Sequence, residues 1–309
     1  MKRFFLYPLL VIIALFVAGL AFFSVRQAKA NHEITAEWQT APTVIPSLAA
    51  TSRLEIIPLY EEASAGDPYV SGHGVSYLIR TDSVTVLLDV GDNPGKLVPP
   101  PFAINMRELG IAWDEIDRVI VSHLHPDHVG GTDAWQGNTI SFGELPGGMG
   151  DRLVFVPAKV TYPNAIHATI PTLPGPDVAT TGVISYPEVF PLSLFEPKGN
   201  EQALVVHVAG QGLVLITGCG HPGLEKLVER AETLYGYPVI GIVGGLHFGE
   251  SSAQDVEPQI QFLQSRQVKL VALSPHDSGP KVLDAFRAAF PQAYQDIQVG
   301  SVIKFSSQE

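Results

Sequence analysis

The run His123-Leu124-His125-Pro126-Asp127-His128 gathers three imidazoles and a carboxylate in six residues. On an extended chain alternate side chains point the same way, so His123 and His125 share one side. Pro126 then turns the backbone, and Gly130-Gly131 allows a tight bend beyond it, so Asp127 and His128 can face the same pocket. Nitrogen and carboxylate donors at this density suit a borderline divalent metal, zinc first, with manganese or iron as alternatives. The chemistry of such a centre is hydrolysis, in which a metal-activated water attacks a polarised carbonyl or phosphoryl group. The sequence has no serine nucleophile elbow and no Gly-rich phosphate loop, so covalent serine catalysis and P-loop chemistry find no support.

The elements that must carry these residues are short. Largely apolar, turn-bounded runs at 54–60, 74–79, 84–90 and 118–122 read as strands, and the histidine cluster directly follows the last of them. A helix is expected over 103–109, ending at Gly110. Residues 140–200 are rich in Gly and Pro, and only 153–156 reads as a strand, which points to a functional loop or lid, or to a plain surface insertion. The second half returns to strands at 203–208, 213–217, 239–243, 270–273 and 297–305, with Gly210-Gln211-Gly212 as a hairpin turn. Leu224, Leu227, Val228, Ala231 and Leu234 recur at helical spacing, and further helices are expected near 258–267 and 282–290. Both halves mix strands and helices, the pattern of α/β layers in which two sheets are covered by helices.

The N-terminus differs from the rest. Lys2 and Arg3 precede a nearly unbroken apolar run from Phe4 to Phe23, followed by Arg26 and Ala28-Lys29-Ala30. That order is read either as a cleaved export signal or as a retained membrane anchor over residues 1–30, with the anchor preferred. Lys2 and Arg3 would stay in the cytoplasm and the body would face outward, which places the protein in the cell envelope, anchored or exported. Residues 31–52, with Pro42 and Pro46, read as a linker, and 53–309 as the folded domain. The first 30 residues hold four cations and no acid, so the remainder carries 15 basic and 31 acidic residues, a net of −16. Such a body repels phosphate backbones and argues against nucleic acid as a partner, leaving a small-molecule substrate. The single cysteine, Cys219, rules out an internal disulfide.

The His-x-His-x-Asp-His run followed by Gly-Gly resembles the signature of the metallo-β-lactamase fold superfamily. Leu87-Leu88-Asp89-Val90-Gly91 is similar to that superfamily's strand ending in Asp and Gly. Thr217-Gly218-Cys219-Gly220-His221, Gly244-Gly245-Leu246-His247 and Ser274-Pro275-His276-Asp277-Ser278-Gly279 resemble one branch, the dihydropterin synthase-like metal-dependent hydrolases. His73-Gly74-Val75-Ser76 and Glu201-Gln202-Ala203-Leu204 also look like that branch, and the resemblance covers roughly residues 54–305. Cys219 stands where many superfamily members carry a bridging Asp, and residues 195–203 lack the usual upstream His. A standard carboxylate-bridged centre is therefore not expected.

The resemblance implies a four-layer αββα sandwich holding two divalent metal ions. His123, His125 and His221 would bind one metal, and Asp127, His128 and His276 the other. Asp89 would orient a metal-bound histidine, and Cys219 would lie buried beside the metals, with thiolate ligation as the alternative. Asp127 and His247 are the candidate catalytic residues, His247 as a metal, substrate or water contact. His73 is given no role, His207 a structural one, His167 a possible place in a lid, and His32 none. The expected activity is a metal-dependent hydrolase acting on a small ester, lactone, amide or phosphoester. The alternatives are a dihydropterin synthase-like transferase displacing pyrophosphate, and a non-catalytic envelope metal-binding protein.

Overall fold

The computed structural model describes residues 2–40, 42, 47–145 and 150–307. Two compact units emerge, one of Pro42–Ile184 with Asn200–Glu309 and one of Met1–Ala41 with Ser185–Gly199.

The larger unit is built on two sheets. The first contains β1 (Arg53–Tyr60), β2 (Ser76–Arg80), β3 (Thr85–Leu88), β4 (Arg118–Ile120), β5 (Val154–Val156) and β6 (Ala165–His167), with β14 (Ile303–Ser306) beside β1 at the edge. The second contains β7 (Val178–Thr180), β10 (Leu204–Val208), β11 (Gly212–Thr217), β12 (Val239–Gly244) and β13 (Leu270–Leu273), in the order β13-β12-β11-β10-β7. Alternation assigns the faces. Tyr77, Ile79, Val86 and Leu88 pack with Leu204, Val206, Val214 and Ile216 between the sheets. Leu78 and Leu87, one residue out of phase, pack outward with Phe102, Met106 and Trp113. Phe102 and Met106 lie on α2 (Pro101–Glu108). On the second sheet α5 (Leu224–Tyr235) buries Leu224, Leu227, Val228, Ala231 and Leu234 and ends at Gly236 in the left-handed conformation. It rests on β11 and β12. Two more helices, α6 (Glu257–Ser265) and α7 (Pro280–Ala289), complete the outer layer with Leu263 and Phe286 fully buried. This is the expected four-layer αββα sandwich.

The hairpin expected at Gly210-Gln211-Gly212 joins β10 to β11, with Val208 opposite Gly212 and Gly210 at φ 68°. Residues 140–200 hold more structure than their sequence announces. They supply β5, β6 and β7, and also β8 (Ile184–Pro187) and β9 (Lys198–Glu201), which form a separate two-stranded ribbon. Strands of three or four residues carry too little local period to be read, because their stability comes from distant partners. The closing strand is shorter than expected, beginning at Ile303 rather than 297.

In the smaller unit α1 runs from Lys2 to Gln39. Its segment Leu10–Gln39 is long and apolar enough to cross a membrane or to serve as a signal sequence, with a mean hydropathy of 2.1 over its most apolar 18-residue window. The helix continues past residue 30, so 31–39 are helical where a linker was expected. Ala30 and Ile34 are buried one turn apart, and Glu37 and Trp38 both bond Ser185. Packing thus extends a helix whose local sequence has no sustained apolar period. Residues 41 and 43–46 of the expected linker, and 146–149 of the irregular stretch, lie outside the described residues.

Candidate metal centre

Parallel strands send their C-terminal ends to one edge, where loops can hold a ligand on rigid supports. Asp89 follows β3 and the histidine cluster follows β4, which is parallel to it. Cys219 and His221 follow β11, His247 follows β12 and His276 follows β13, and these three strands are also parallel. Pro126 opens a one-turn helix, α3 (Pro126–Val129), and Gly130 closes it at φ 92°. That turn brings His128 back beside His123, with ring centroids 4.1 Å apart.

The imidazoles meet in two groups. The ring centroids of His123 and His125 are 4.4 Å apart, those of His123 and His221 4.7 Å, and those of His125 and His221 4.9 Å. In the second group Asp127 Oδ2 is 3.0 Å from His276 Nε2 and 3.7 Å from His128 Nε2. Cys219 Sγ belongs to both. It lies 3.0 Å from His128 Nε2, and the donor atoms of His123, Cys219 and His221, like those of His128, Cys219 and His276, all fall within 4.8 Å of one another.

One carboxylate orders two of these rings. Asp89 is fully buried and accepts from the Ser122 backbone N–H at 2.7 Å and the Ser122 hydroxyl at 2.6 Å. His128 Nδ1 is 2.7 Å from Asp89, and His123 Nδ1 is 2.9 Å from Ser122 Oγ. With the hydroxyl donating to Asp89, His123 Nδ1 must be the donor to Ser122, which leaves its Nε2 bare. His123 Nε2 is buried without a hydrogen-bond partner among the described residues. A buried ring nitrogen left open among other donors lacks one group, a cation, so the residues fit a metal. Asp89 reaches this position in the left-handed conformation, at φ 56°, an uncommon backbone for a non-glycine residue. Gly218 passes so close to Ser122 Oγ that a side chain there would collide with it.

Other carboxylates hold the His221 ring and the backbone of the loop that carries His276. Glu201 accepts from the backbone N–H of Gly220 at 2.8 Å and of His221 at 2.9 Å, and its Oε2 is 3.0 Å from His221 Nδ1. Glu61 accepts from the Tyr77 hydroxyl at 2.6 Å, the Ser274 hydroxyl at 2.8 Å and the His276 backbone N–H at 2.9 Å. His247 stacks obliquely on His221 at 4.4 Å, with Nδ1 3.6 Å from Asp277 Oδ1.

The electrostatics divide the histidines. Burial, then the neighbouring imidazoles His128, His125 and His221, holds His123 well below its usual pKa, so it is neutral. Burial opposes charging His128, but Asp89 and Asp127 outweigh it and push its pKa up to about 9. Burial works to raise Asp127, yet His128 and His276 hold it well below the usual carboxylate range. Burial, reinforced by Asp277, Asp127 and Glu201, pushes the Cys219 thiol up. In the protein alone the charges of Asp89 and Asp127 therefore hold a proton on His128.

All the site residues read from sequence, His123, His125, Asp127, His128, His221, His247, His276, Asp89 and Cys219, converge on this one edge. Four positions were missed or left without a role. Ser122 and Glu61 carried no signal. Glu201 was noticed only within a short string. His73, given no role, sits at the rim with Nδ1 2.8 Å from Glu62 Oε1 and Nε2 3.6 Å from Asp127 Oδ2. Its neighbour Gly74, at φ 122°, donates to His276 Nδ1 at 3.2 Å. His207 stacks on Tyr237 at 3.9 Å, and His167 lies on the edge strand β6.

Known proteins resemble this chain in sequence and fold. Residues 70–140 match the sequence model of the Metallo-beta-lactamase superfamily. The 7,8-dihydropterin-6-methyl-4-(beta-D-ribofuranosyl)-aminobenzene-5'-phosphate synthase of Methanocaldococcus jannaschii is 23% identical over 300 residues, covering 85% of this chain and all of that protein. Among solved structures, Tm1679, a metal-dependent hydrolase of the beta-lactamase superfamily, superposes with a TM-score of 0.58 at 22% identity, covering 82% of this chain and all of that one. The metallo-beta-lactamase fold protein YhfI from Bacillus subtilis gives 0.51 at 11% identity, covering 82% of this chain and all of that one. The chain is a metallo-β-lactamase-fold protein, and its sequence resembles the dihydropterin synthase-like branch.

Proposed function

We propose that the protein is an envelope metal-dependent hydrolase acting on a small ester, lactone, amide or phosphoester. The observation that carries this reading is the open His123 Nε2 at the meeting point of two donor groups that share Cys219 Sγ. His123, His125 and His221 would hold one divalent metal and Asp127, His128 and His276 the other, with the Cys219 sulfur as a donor common to both. Bound there, the metals would supply an acidified water and a Lewis acid toward a carbonyl or phosphoryl oxygen. The Cys219 thiol, kept protonated by burial and nearby carboxylates in the protein alone, would give up its proton as a donor to such a cation.

The protein's own groups have separate tasks. Asp89 fixes which nitrogen of His128 faces the pocket, and does the same for His123 through Ser122. Asp127 stays ionised at the rim side of the pocket, where its carboxylate would bind metal and orient the attacking water. His247 is half-exposed on the face of His221, placed to contact substrate. Zinc is favoured by the nitrogen and sulfur donors, with manganese or iron as the other candidates. Helix α1 would be retained as an anchor, and the acidic body disfavours nucleic acid as substrate.

A second reading is a transferase that displaces pyrophosphate, favoured by the synthase relative that this chain matches over that protein's whole length. An exported body argues against it, because a pterin precursor of that kind is a cytoplasmic metabolite. A panel of chromogenic lactones, thioesters and phosphodiesters, run on the full chain with and without added zinc or manganese, separates the readings. Metal-dependent turnover of one class, abolished in His123→Ala, is expected. Turnover that survives His123→Ala would refute the assignment, and a folded, metal-loaded chain that turns over nothing would point to the transferase or to a non-catalytic metal-binding protein.

A further inference from the structure

Helix α1 changes character at Arg26. Before it, Leu15, Phe16, Phe22 and Val25 are exposed by 66–70% of their surface, and of residues 10–25 only Phe23 is partly buried. After it, one stripe of the helix is gripped by the 185–199 segment. Arg26 Nη1 donates to the Leu194 carbonyl at 2.9 Å, and Nη2 bonds the Phe195 carbonyl. Gln27 donates to the Pro197 carbonyl at 3.2 Å, Ala30 and Ile34 are buried, and Trp38 donates to the Ser185 carbonyl at 2.9 Å. These positions recur every three or four residues, a single face of the helix.

The segment therefore has a direction. Its base at Ser185 lies level with Glu37 and Trp38, and its tip at Leu194 and Phe195 lies level with Arg26, about 17 Å along the axis at 1.5 Å per residue. The tip is folded on itself. Ser193 N–H bonds Val189 at 2.8 Å, Phe195 N–H bonds Leu192 at 2.9 Å, and Glu196 N–H bonds Leu192 at 3.0 Å. Yet this tied turn exposes Phe190 by 76%, Phe195 by 69% and Leu194 by 48%. A turn that is ordered by its own backbone and still holds two phenylalanines in water has an unfilled apolar surface. That surface lies at the level where the bare helix ends. Lys29, one turn beyond Arg26, and Lys198, beside Glu33 about 10 Å further along the helix at 1.5 Å per residue, put cations on the far side of that level, as expected where headgroups begin.

We propose that residues 189–195 form a second membrane contact, dipping Phe190, Leu194 and Phe195 into the outer bilayer interface beside α1. The proposal rests on reading α1 as a retained anchor. A run from Phe4 to Val25 spans about 33 Å as a helix, close to the hydrocarbon thickness of a bilayer, so Arg26 falls at the boundary. Aromatic side chains are favoured at that depth. The Arg26 guanidinium, by binding the two carbonyls of the tip, sets both the height of the turn and its rotation about the helix. Two contacts fix the orientation of this unit on the bilayer, where a lone helix would leave it free to spin.

The test places an environment-sensitive fluorophore on the full chain through Phe190→Cys or Phe195→Cys, with Gln39→Cys, exposed at the far end of the same helix, as the reference and the unsubstituted chain, whose Cys219 is buried, as the blank. After reconstitution into phosphatidylcholine–phosphatidylglycerol vesicles, the probes at 190 and 195 are expected to shift to the blue and to be quenched by lipids brominated near the headgroup. The probe at 39, about 20 Å along the helix from Arg26, is expected to keep its emission in water. Because both phenylalanines are exposed, thermal melting in detergent should match that of the unsubstituted chain, and a large drop would overturn the premise of a free surface. Water-like emission at 190 and 195 in a chain that resists alkaline extraction would refute the second contact and leave the anchor standing. Release of the chain by alkaline extraction would refute both. A blue shift without bromolipid quenching would assign the surface to a second copy of the chain and refute the lipid contact.

Discussion

The two halves of the centre solve the same physical problem with different sequence economy. In the first half, Asp89 reaches two histidines, His128 directly and His123 through Ser122, and all the groups except Asp89 lie within seven residues of chain. In the second half each histidine's loop is held by its own carboxylate from far away, Glu201 on the His221 backbone and ring at a separation of 20 residues and Glu61 on the His276 backbone N–H at 215. A shared carboxylate makes the first half a cooperative unit, in which one loss disturbs two rings. Separate carboxylates make the second half divisible.

Substitution of Asp89 should therefore have the largest effect. Asp89→Ala leaves His128 buried without its counter-charge and Ser122 without its acceptor, and is expected to cost about 3 kcal/mol or more of stability in urea denaturation. Zinc content should fall for both positions together. Glu201→Gln comes next. It should weaken one metal about 10–100-fold and spare the other, so a chelator competition titration resolves one strong and one weak site. Two equally weakened sites would show that the second half is not divisible. Cys219→Ser should have the smallest effect, since every imidazole stays in place. In cobalt-loaded protein it should abolish the sulfur-to-metal charge-transfer absorption while retaining metal, and an unchanged spectrum would remove the sulfur from the donor set.

The same contrast explains what could be read from the chain. The cluster at 123–128 was legible because its donors are adjacent and follow a strand, so periodicity alone turns them to one side. His221, His247 and His276 came through family resemblance. Nothing local in their strings says that β11, β12 and β13 run parallel and deliver them to one edge. Glu61 and Ser122 were invisible because a buried carboxylate or hydroxyl has no period and no composition, only a partner distant in sequence or brought near by a strand end. His73 was set aside because a histidine before a strand shows nothing of Glu62 and Asp127 beside it. At the fold level, long strands and the amphipathic α5 were readable, whereas the three-residue strands of 140–200 were not. The continuation of α1 to Gln39 depended on Ser185, more than a hundred residues away.

The central claim is a two-metal centre assembled from both halves of the sandwich. Metal content of the full chain after zinc saturation and gel filtration tests it most directly, with His123→Ala and His276→Ala measured alongside. About two zinc ions per chain are expected in the unsubstituted protein, with a loss in each variant. A folded chain that retains no zinc, or keeps its full complement in both variants, would contradict the account.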